Sequence, residues 1–221
     1  MKWIFDTPAV AEFQNNSIDV DDCVAVMCEI GEYRSSLVGN ELDLFDNMSA
    51  VRRQRTFSSG RHCVRLAQRF LGLGEHAILA ENRAPVWPDG VGSISHTDEY
   101  AVATLGRGST SVGVDIEEEG RVHEDMWRVV FTEAERSTLD PELAAVAFSA
   151  KEAGYKAIYP IGRKFIGFHE AEININKNTQ TFTIRYLGDH EPNQALGRGR
   201  GWFSAASGHV LTYFSIDLCK P

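Results

Sequence analysis

The sequence contains two short segments that decide the fold, VGVDIE at residues 112–117 and FSAKEAGYK at residues 148–156. Alternation in the first segment predicts a strand with one apolar face, whose other face holds Asp115 and Glu117. These carboxylates repel each other unless a cation lies between them. In the second segment Glu152 and Lys156 are four residues apart, so they share one face of a helix. Three carboxylates and an ammonium group suit a hard divalent cation beside a phosphate.

The helix of the second segment is expected to be buried. Residues 142–159 are apolar nearly all round, which is typical of a helix inside the core. Glu152 and Lys156 should therefore project into a cleft rather than into bulk water. We predict that Asp115, Glu117 and Glu152 bind a metal ion. The alternative interpretation is a solvated strand end and an ordinary ion pair on a helix surface.

Further blocks upstream extend the pattern of these two segments. They are RRQRTFSSGRHC at residues 52–63, PVWPDG at residues 85–90 and GSISH at residues 92–96. Together, over roughly residues 45 to 160, the blocks resemble the phosphopantetheinyl transferases of the larger, monomeric class. That family has a G-[VI]-D-x-E strand followed by a [FW]-[ST]-x-K-E-x-x-x-K helix. Within it, the chain is most similar to the bacterial subgroup of siderophore and nonribosomal peptide synthesis that includes enterobactin synthase component D.

The resemblance implies an α+β fold made of two similar halves about a pseudo-twofold axis. The halves would be residues 1–110, which contact the phosphates and nucleotide of coenzyme A, and residues 111–221, which hold the metal strand and the catalytic helix. A faint internal similarity between residues 93–105 and 204–216 agrees with such a duplication. A duplicated chain of this kind is expected to be a monomer.

The resemblance also implies an activity. The family moves the 4′-phosphopantetheine arm of coenzyme A to a serine of an acyl, peptidyl or aryl carrier protein, with Mg²⁺ (or Mn²⁺), and releases 3′,5′-ADP. Glu152 would then be the general base and Lys156 would contact the transferred phosphate. Lys151 matches a motif lysine and is expected to face the carrier protein. The alternatives are a catalytically silent coenzyme A or carrier-binding module and a metal-dependent phosphohydrolase, which usually needs more ligands.

The family's substrate contacts correspond to residues in the first half. Arg53 and Arg61 match arginines that bind the 3′-phosphate, and we expect residues 58–60 between them to begin a helix whose free amides form an anion site. Ser95 and His96 lie in a predicted loop where the family's histidine contacts a phosphate. Arg83 matches a basic residue near the nucleotide. A solvated basic helix and a structural histidine are the alternatives.

Composition limits the other functions. The chain has 221 residues and a net charge of −9, which argues against nucleic-acid binding. No apolar run is long enough for a membrane helix, and the first residues do not resemble a signal peptide. We therefore expect a cytoplasmic protein with no membrane partner. The four cysteines, Cys23, Cys28, Cys63 and Cys219, lack metal-site spacing and are expected to be buried thiols.

Local patterns predict the remaining elements. Helices are expected at residues 41–55 and 60–71, and a structured loop at 80–92. Strands are expected at residues 20–30, 170–176, 181–187 and near 210–218. Residues 100–105 and 112–117 are predicted to form a hairpin through the turn at residues 106–109.

Overall fold

A long helix packed on a mainly antiparallel sheet occurs twice along the chain. The computed structural model describes residues 1–13, 23–81, 84–107 and 110–218, so the expectations for Arg83 and Cys219 fall outside the described residues. The chain divides into two units, Met1–Gly108 and Ser109–Pro221. Among the described helices, none combines the length and the hydropathy needed to cross a bilayer.

The first unit contains a four-stranded sheet and two helices. Its elements are β1 (Lys2–Phe5), β2 (Cys23–Glu29), α1 (Asn40–Asp46), α2 (Val51–Leu71), β3 (Ala80–Glu81), β4 (Ala84–Pro85), β5 (Val91–His96) and β6 (Tyr100–Gly106). The strand order is β1-β2-β6-β5, and β3 pairs only with β4. β1 runs parallel to β2, whereas the other pairs of the sheet are antiparallel. Apolar side chains of β2 and β6 pack against α2 to form the core of this unit.

Helix α2 corrects the prediction that a helix begins at Ser58 and Ser59. Both serines lie inside α2 and are fully buried. Ser59 Oγ accepts a hydrogen bond from the Gly31 backbone N–H at 3.0 Å, and Ser58 Oγ accepts one from the Tyr33 N–H at 3.4 Å. The hydroxyls therefore satisfy the backbone after β2 instead of capping a helix. No helix N-terminus, and hence no amide anion site, exists at residues 58–60.

The second unit contains a five-stranded antiparallel sheet and three helices. Its elements are β7 (Thr110–Glu118), α3 (Trp127–Val130), α4 (Glu133–Thr138), α5 (Ala144–Gly162), β8 (Ala171–Asn176), β9 (Thr181–Tyr186), β10 (Arg200–Ala206) and β11 (His209–Asp217). The strand order is β7-β11-β10-β9-β8. The largest apolar cluster of this unit lies between α5 and the sheet, as the all-round apolar sequence of α5 predicts.

Helix α5 packs directly on β7. A Cβ atom on Gly113 would lie 1.9 Å from the Ala153 carbonyl oxygen, so this contact requires glycine. Two residues earlier, Ser111 Oγ donates a hydrogen bond to the Ala157 carbonyl oxygen at 2.6 Å. Two strand residues advance about 6.6 Å and four helix residues about 6 Å. The contacts of Ser111 with Ala157 and of Gly113 with Ala153 are therefore spaced equally along the strand and along the helix. The strand face with Asp115 is therefore the face toward α5.

The predicted hairpin between residues 100–105 and 112–117 is wrong, because β6 and β7 belong to different sheets. β6 pairs with β5, and β11 pairs with β10 through a turn at Ser207 and Gly208. Both turn residues have positive φ, 48° and 72°, the conformation that favours a two-residue hairpin. Each unit thus repeats one order of elements: a strand, a long helix and a hairpin whose last strand pairs with the first strand.

Candidate active site

Asp115 is the most constrained charged residue on β7. Its side chain is buried, with 4% exposed. Oδ1 accepts a hydrogen bond from Lys156 Nζ at 2.6 Å, and Oδ2 accepts one from Ser149 Oγ at 2.8 Å. Lys156 also donates to the Val114 carbonyl oxygen at 3.1 Å. Helix α5 therefore holds both oxygens of this carboxylate from one side.

Glu117 and Glu152 share the electrostatic field of Asp115. Burial, and then the charge of Asp115, raise the pKa of Glu117 to about 7, although Arg121 and Lys156 oppose this. Burial and Asp115 likewise raise the pKa of Glu152 against the influence of Lys156. Burial is the largest cause of both pKa shifts. By formal charge, the three carboxylates face two cations, Lys156 and Arg121, whose Nε lies 3.7 Å from Glu117 Oε2. Negative charge is therefore in excess at this site.

The residue types at this site fit a hard metal ion. Carboxylate oxygens are the ligands that Mg²⁺ prefers, and the excess of carboxylates over cations favours an additional cation here. The geometry differs from a finished metal cage: in the part of the chain that the structure describes, no group of three or more His, Cys, Asp or Glu residues is arranged so that it could hold a metal ion. Lys156 Nζ donates to Oδ1 of Asp115. A metal ion can bind this oxygen if Lys156 shares it or moves away.

A mainly apolar cavity of about 330 Å³ adjoins Glu152. Its walls come from α5, from the segment after α5 and from the sheet. Tyr155 packs edge-on against Phe165 at one side, with ring centroids 5.7 Å apart. The lining residues are Lys151, Glu152, Gly154, Tyr155, Phe165, Ile166, Gly167, Phe168, Ala171, Ile184 and Leu196. A flexible, largely apolar chain could thus end beside the acidic cluster.

Lys151 does not face outward, contrary to the expectation of a contact with a carrier protein. Only 3% of its side chain is exposed, and Nζ donates to Glu135 Oε2 at 2.6 Å and to the Phe168 carbonyl oxygen at 2.7 Å. Burial lowers the pKa of Lys151, and Glu135 opposes this. The ammonium is therefore a structural tie between α5, α4 and the segment before β8.

In the first unit, Arg61 belongs to a buried cluster on α2. Arg61 Nε lies 3.2 Å from Glu41 Oε1, at an angle that makes no hydrogen bond. The same oxygen accepts hydrogen bonds from Arg65 Nη2 at 2.8 Å and from the Ile78 N–H at 2.7 Å. Burial and the neighbouring charge of Arg65 lower the pKa of Arg61, and Glu41 opposes them. One carboxylate thus serves two guanidinium groups.

Arg53 lies two turns before Arg61 on α2, and its side chain is exposed. Its guanidinium has no hydrogen-bond partner within the described ranges, which makes it available to an anion.

Ser95 and His96 lie at the end of β5 and do not form the predicted loop. Ser95 is buried and His96 is exposed. The turn to β6 is stabilised by Thr97 Oγ1, which accepts hydrogen bonds from the Glu99 and Tyr100 N–H groups.

Sequence analysis missed several residues of both clusters. Glu41 and Arg65 are fully buried beside Arg61, and Glu41 pairs with both arginines. The only sequence signal for this cluster is the position of the acidic Glu41 shortly before the basic helix. Ser149 lies inside the motif but was not assigned a role. Thr212 lies opposite Asp115 in the pairing of β7 with β11, a long-range relation that no local pattern shows.

Comparison with known proteins shows the family of the chain. The 4′-phosphopantetheinyl transferase N-terminal domain matches residues 41–106, and the 4′-phosphopantetheinyl transferase superfamily matches residues 111–213. The chain belongs to the 4′-phosphopantetheinyl transferases, in the larger class whose members contain both domains.

Three relatives illustrate the similarity. 4′-Phosphopantetheinyl transferase PptT of Mycobacterium tuberculosis is 32% identical over 180 residues, which cover 74% of this chain and 79% of the relative. 4′-Phosphopantetheinyl transferase Svp of Streptomyces mobaraensis is 32% identical over 182 residues, covering 75% and 73%. Enterobactin synthase component D of Salmonella typhi is 35% identical over 115 residues, and the alignment covers 48% of each chain.

Proposed function

We propose that this chain transfers the 4′-phosphopantetheine arm of coenzyme A to a serine of an acyl, peptidyl or aryl carrier protein, in a Mg²⁺-dependent reaction that releases 3′,5′-ADP. The observation that supports this function best is the cluster of Asp115, Glu117 and Glu152 around a single lysine, in a chain of this family. Such a cluster has an excess of negative charge that a divalent cation would offset.

Mg²⁺ would be held by Asp115, Glu117 and Glu152. When bound, the ion would neutralise charge on the pyrophosphate as the bond to the leaving group breaks. Lys156 would turn from Asp115 toward the transferred phosphate, where its ammonium would offset charge that grows in the transition state. Lys156 already donates to Asp115 Oδ1. A short movement of its ammonium group would therefore let it contact both Asp115 and the phosphate.

Glu152 is the proposed general base. Its carboxylate would accept the proton directly or through a metal-bound water. Glu152 also borders the apolar cavity, where the pantetheine arm could lie with its phosphate end at the acidic cluster. The base would then be close to the point at which the serine hydroxyl must lose its proton.

The first unit is proposed to bind the nucleotide end of coenzyme A. Arg53 and Arg61 would bind the 3′-phosphate, Ser95 and His96 another phosphate, and Arg83 the region of the nucleotide. Among the described residues the guanidinium of Arg53 has no hydrogen-bond partner, and Arg61 shares the Glu41 carboxylate with Arg65; both observations support an anion site on α2. The second unit would then contain the metal and the catalytic helix. We further propose a monomer in the cytoplasm that serves carriers of siderophore or nonribosomal peptide synthesis.

Intact-mass measurement tests this function. Apo carrier protein is incubated with the enzyme, coenzyme A and Mg²⁺, and we expect the carrier to gain one phosphopantetheine group. A silent binding module would bind coenzyme A and leave the carrier mass unchanged. A phosphohydrolase would cleave coenzyme A without a carrier. Either result contradicts the proposal when several peptidyl, aryl and acyl carriers are tested.

A further inference from the structure

The oxygen of Asp115 that faces away from Lys156 accepts a hydrogen bond from one buried hydroxyl group, which a second buried hydroxyl group contacts in turn. Ser149 and Thr212 are both 0% exposed. Ser149 Oγ lies 2.8 Å from Asp115 Oδ2 and 2.8 Å from Thr212 Oγ1, and Thr212 Oγ1 lies 3.0 Å from the Ser149 carbonyl oxygen. The three residues come from β7, α5 and β11, so they link three separate elements at one point.

The number of protons fixes the direction of these hydrogen bonds. Each hydroxyl has one proton, and an ionised carboxylate only accepts. Ser149 must therefore donate its proton to Asp115 Oδ2. The proton of Thr212 is left for the carbonyl or hydroxyl oxygen of Ser149, so Thr212 fixes the residue that fixes Asp115. The carboxylate is locked with Oδ1 toward Lys156.

We propose that Ser149 and Thr212 are positioning residues for the metal site: a two-hydroxyl chain that orients Asp115 so that Oδ1 is presented to a divalent cation. This inference rests on the proposed function, because it assumes that Asp115 is a metal ligand. Hydrogen-bond partners behind a metal ligand hold its orientation, and their loss commonly weakens metal binding about 10- to 100-fold. Neither hydroxyl needs to contact the substrate.

A matched control exists four residues before Asp115, on the same strand. Ser111 is also buried, lies on the same strand and donates to a carbonyl oxygen of the same helix, but its hydroxyl does not contact Asp115. Ser111→Ala and Ser149→Ala thus each delete a buried hydroxyl between β7 and α5. Thr212→Val removes the second hydroxyl with little change in volume, whereas Thr212→Ser retains a hydroxyl at this position.

The test measures Mn²⁺ binding by electron paramagnetic resonance, with and without coenzyme A, and the Mg²⁺ concentration for half-maximal transfer. We expect Ser149→Ala to weaken Mn²⁺ binding and to raise the Mg²⁺ requirement about 10-fold, and Thr212→Val to do so by a smaller factor that Thr212→Ser restores. Ser111→Ala should bind Mn²⁺ within about twofold of the unaltered protein, since the ligand orientation is unchanged. The KM for coenzyme A at saturating Mg²⁺ should not change.

Two outcomes would overturn the proposal, and they differ in scope. Equal Mn²⁺ affinity in Ser149→Ala and Ser111→Ala would show that the hydroxyls do not position a ligand, while the metal site itself stands. An unaltered protein that binds no Mn²⁺ in the presence of coenzyme A would overturn the metal assignment and this proposal together. If Ser149→Ala does not fold, the comparison of Thr212→Val with Thr212→Ser decides the question.

Discussion

Both units bury charged side chains against their long helix, but the excess charge has opposite signs. In the first unit, Arg61 and Arg65 of α2 share the carboxylate of Glu41 of α1, so positive charge is in excess. In the second unit, Lys156 of α5 pairs with Asp115, and Arg121 Nε lies 3.7 Å from Glu117 Oε2. Two cations thus face the three carboxylates of Asp115, Glu117 and Glu152, so negative charge is in excess.

This difference suggests how a duplicated scaffold separates two tasks. An excess of buried positive charge is relieved by an anion, and an excess of negative charge by a cation. Burial is the largest cause of the pKa shifts of Arg61 and Glu117, and like charges add to it: Arg65 lowers the pKa of Arg61 against Glu41, and Asp115 raises the pKa of Glu117. Coenzyme A phosphate for the first unit and Mg²⁺ for the second are the ligands that would relieve both.

The largest effect is expected from removal of a carboxylate in the second unit. Asp115→Ala, Glu117→Ala and Glu152→Ala should each lower transfer about 10³-fold, because a metal ion contributes several kcal/mol to stabilising charge in the transition state. The measurement is the rate of carrier modification at saturating Mg²⁺. Glu118→Ala is the matched control, since Glu118 is the next residue on β7 and is exposed. Full activity in any of the three variants would contradict the metal assignment.

A large effect on stability, but not on transfer, is expected from Lys151. Lys151→Met leaves Glu135 buried without its ammonium partner, and breaking a buried ion pair commonly costs about 3–5 kcal/mol of unfolding free energy. Chemical denaturation measures this loss. Lys177→Met, which breaks the exposed pair with Asp140, should change stability little.

The same variant tests whether Lys151 contacts the carrier. At a temperature where Lys151→Met remains folded, its KM for the carrier protein and the salt dependence of that KM should match the unaltered enzyme. A selective, salt-dependent rise in this KM would restore the interpretation from the sequence, in which Lys151 faces the carrier. The structure instead places its ammonium on Glu135 and on a backbone carbonyl.

Much of the second unit was predictable from sequence because its signals are local. The alternation of β7 places Asp115 and Glu117 on one face, and the i,i+4 spacing places Glu152 over Lys156. The apolar sequence of α5 predicts its burial. The partners of Asp115 were not predictable in full, because Thr212 comes from a strand 97 residues later whose pairing depends on the whole sheet.

The sequence predicted the first unit less well, because polar residues that normally lie at helix ends or on the surface are buried inside α2. Ser58 and Ser59 resemble helix caps, yet they hydrogen-bond to the backbone that follows β2. Arg65 resembles a solvated arginine, yet it is fully buried against Glu41. In both cases a long-range partner, which a local sequence window does not contain, decides the position of the side chain.

A selective effect on substrate binding is expected from the arginines of α2. Arg53→Ala and Arg61→Ala should raise the KM for coenzyme A about 10- to 100-fold, since a charge-assisted contact contributes roughly 1.5–3 kcal/mol. The KM for 3′-dephospho-coenzyme A should change much less. Arg69→Ala, in the last turn of α2 and paired with Glu75, is the control. Equal losses with both substrates would show that these arginines are structural.

The smallest effect tests the excess charge itself, without substrate. Glu117→Gln should raise the unfolding free energy of the metal-free protein by about 1 kcal/mol at pH 8, because the ionised carboxylate is disfavoured by burial and by Asp115; partial solvation keeps the gain below the full shift. A folded pKa of about 7, above the ordinary 4.5, means that this penalty develops as pH rises from 4.5 to 7, so the gain should shrink at pH 5. Thermal unfolding with a chelator measures it, and Glu118→Gln is the control. Asp115→Asn should instead lose stability, because Lys156 would lose its partner. If Glu117→Gln and Glu118→Gln behave alike at pH 8, the second unit has no excess negative charge, and the contrast with α2 would be lost.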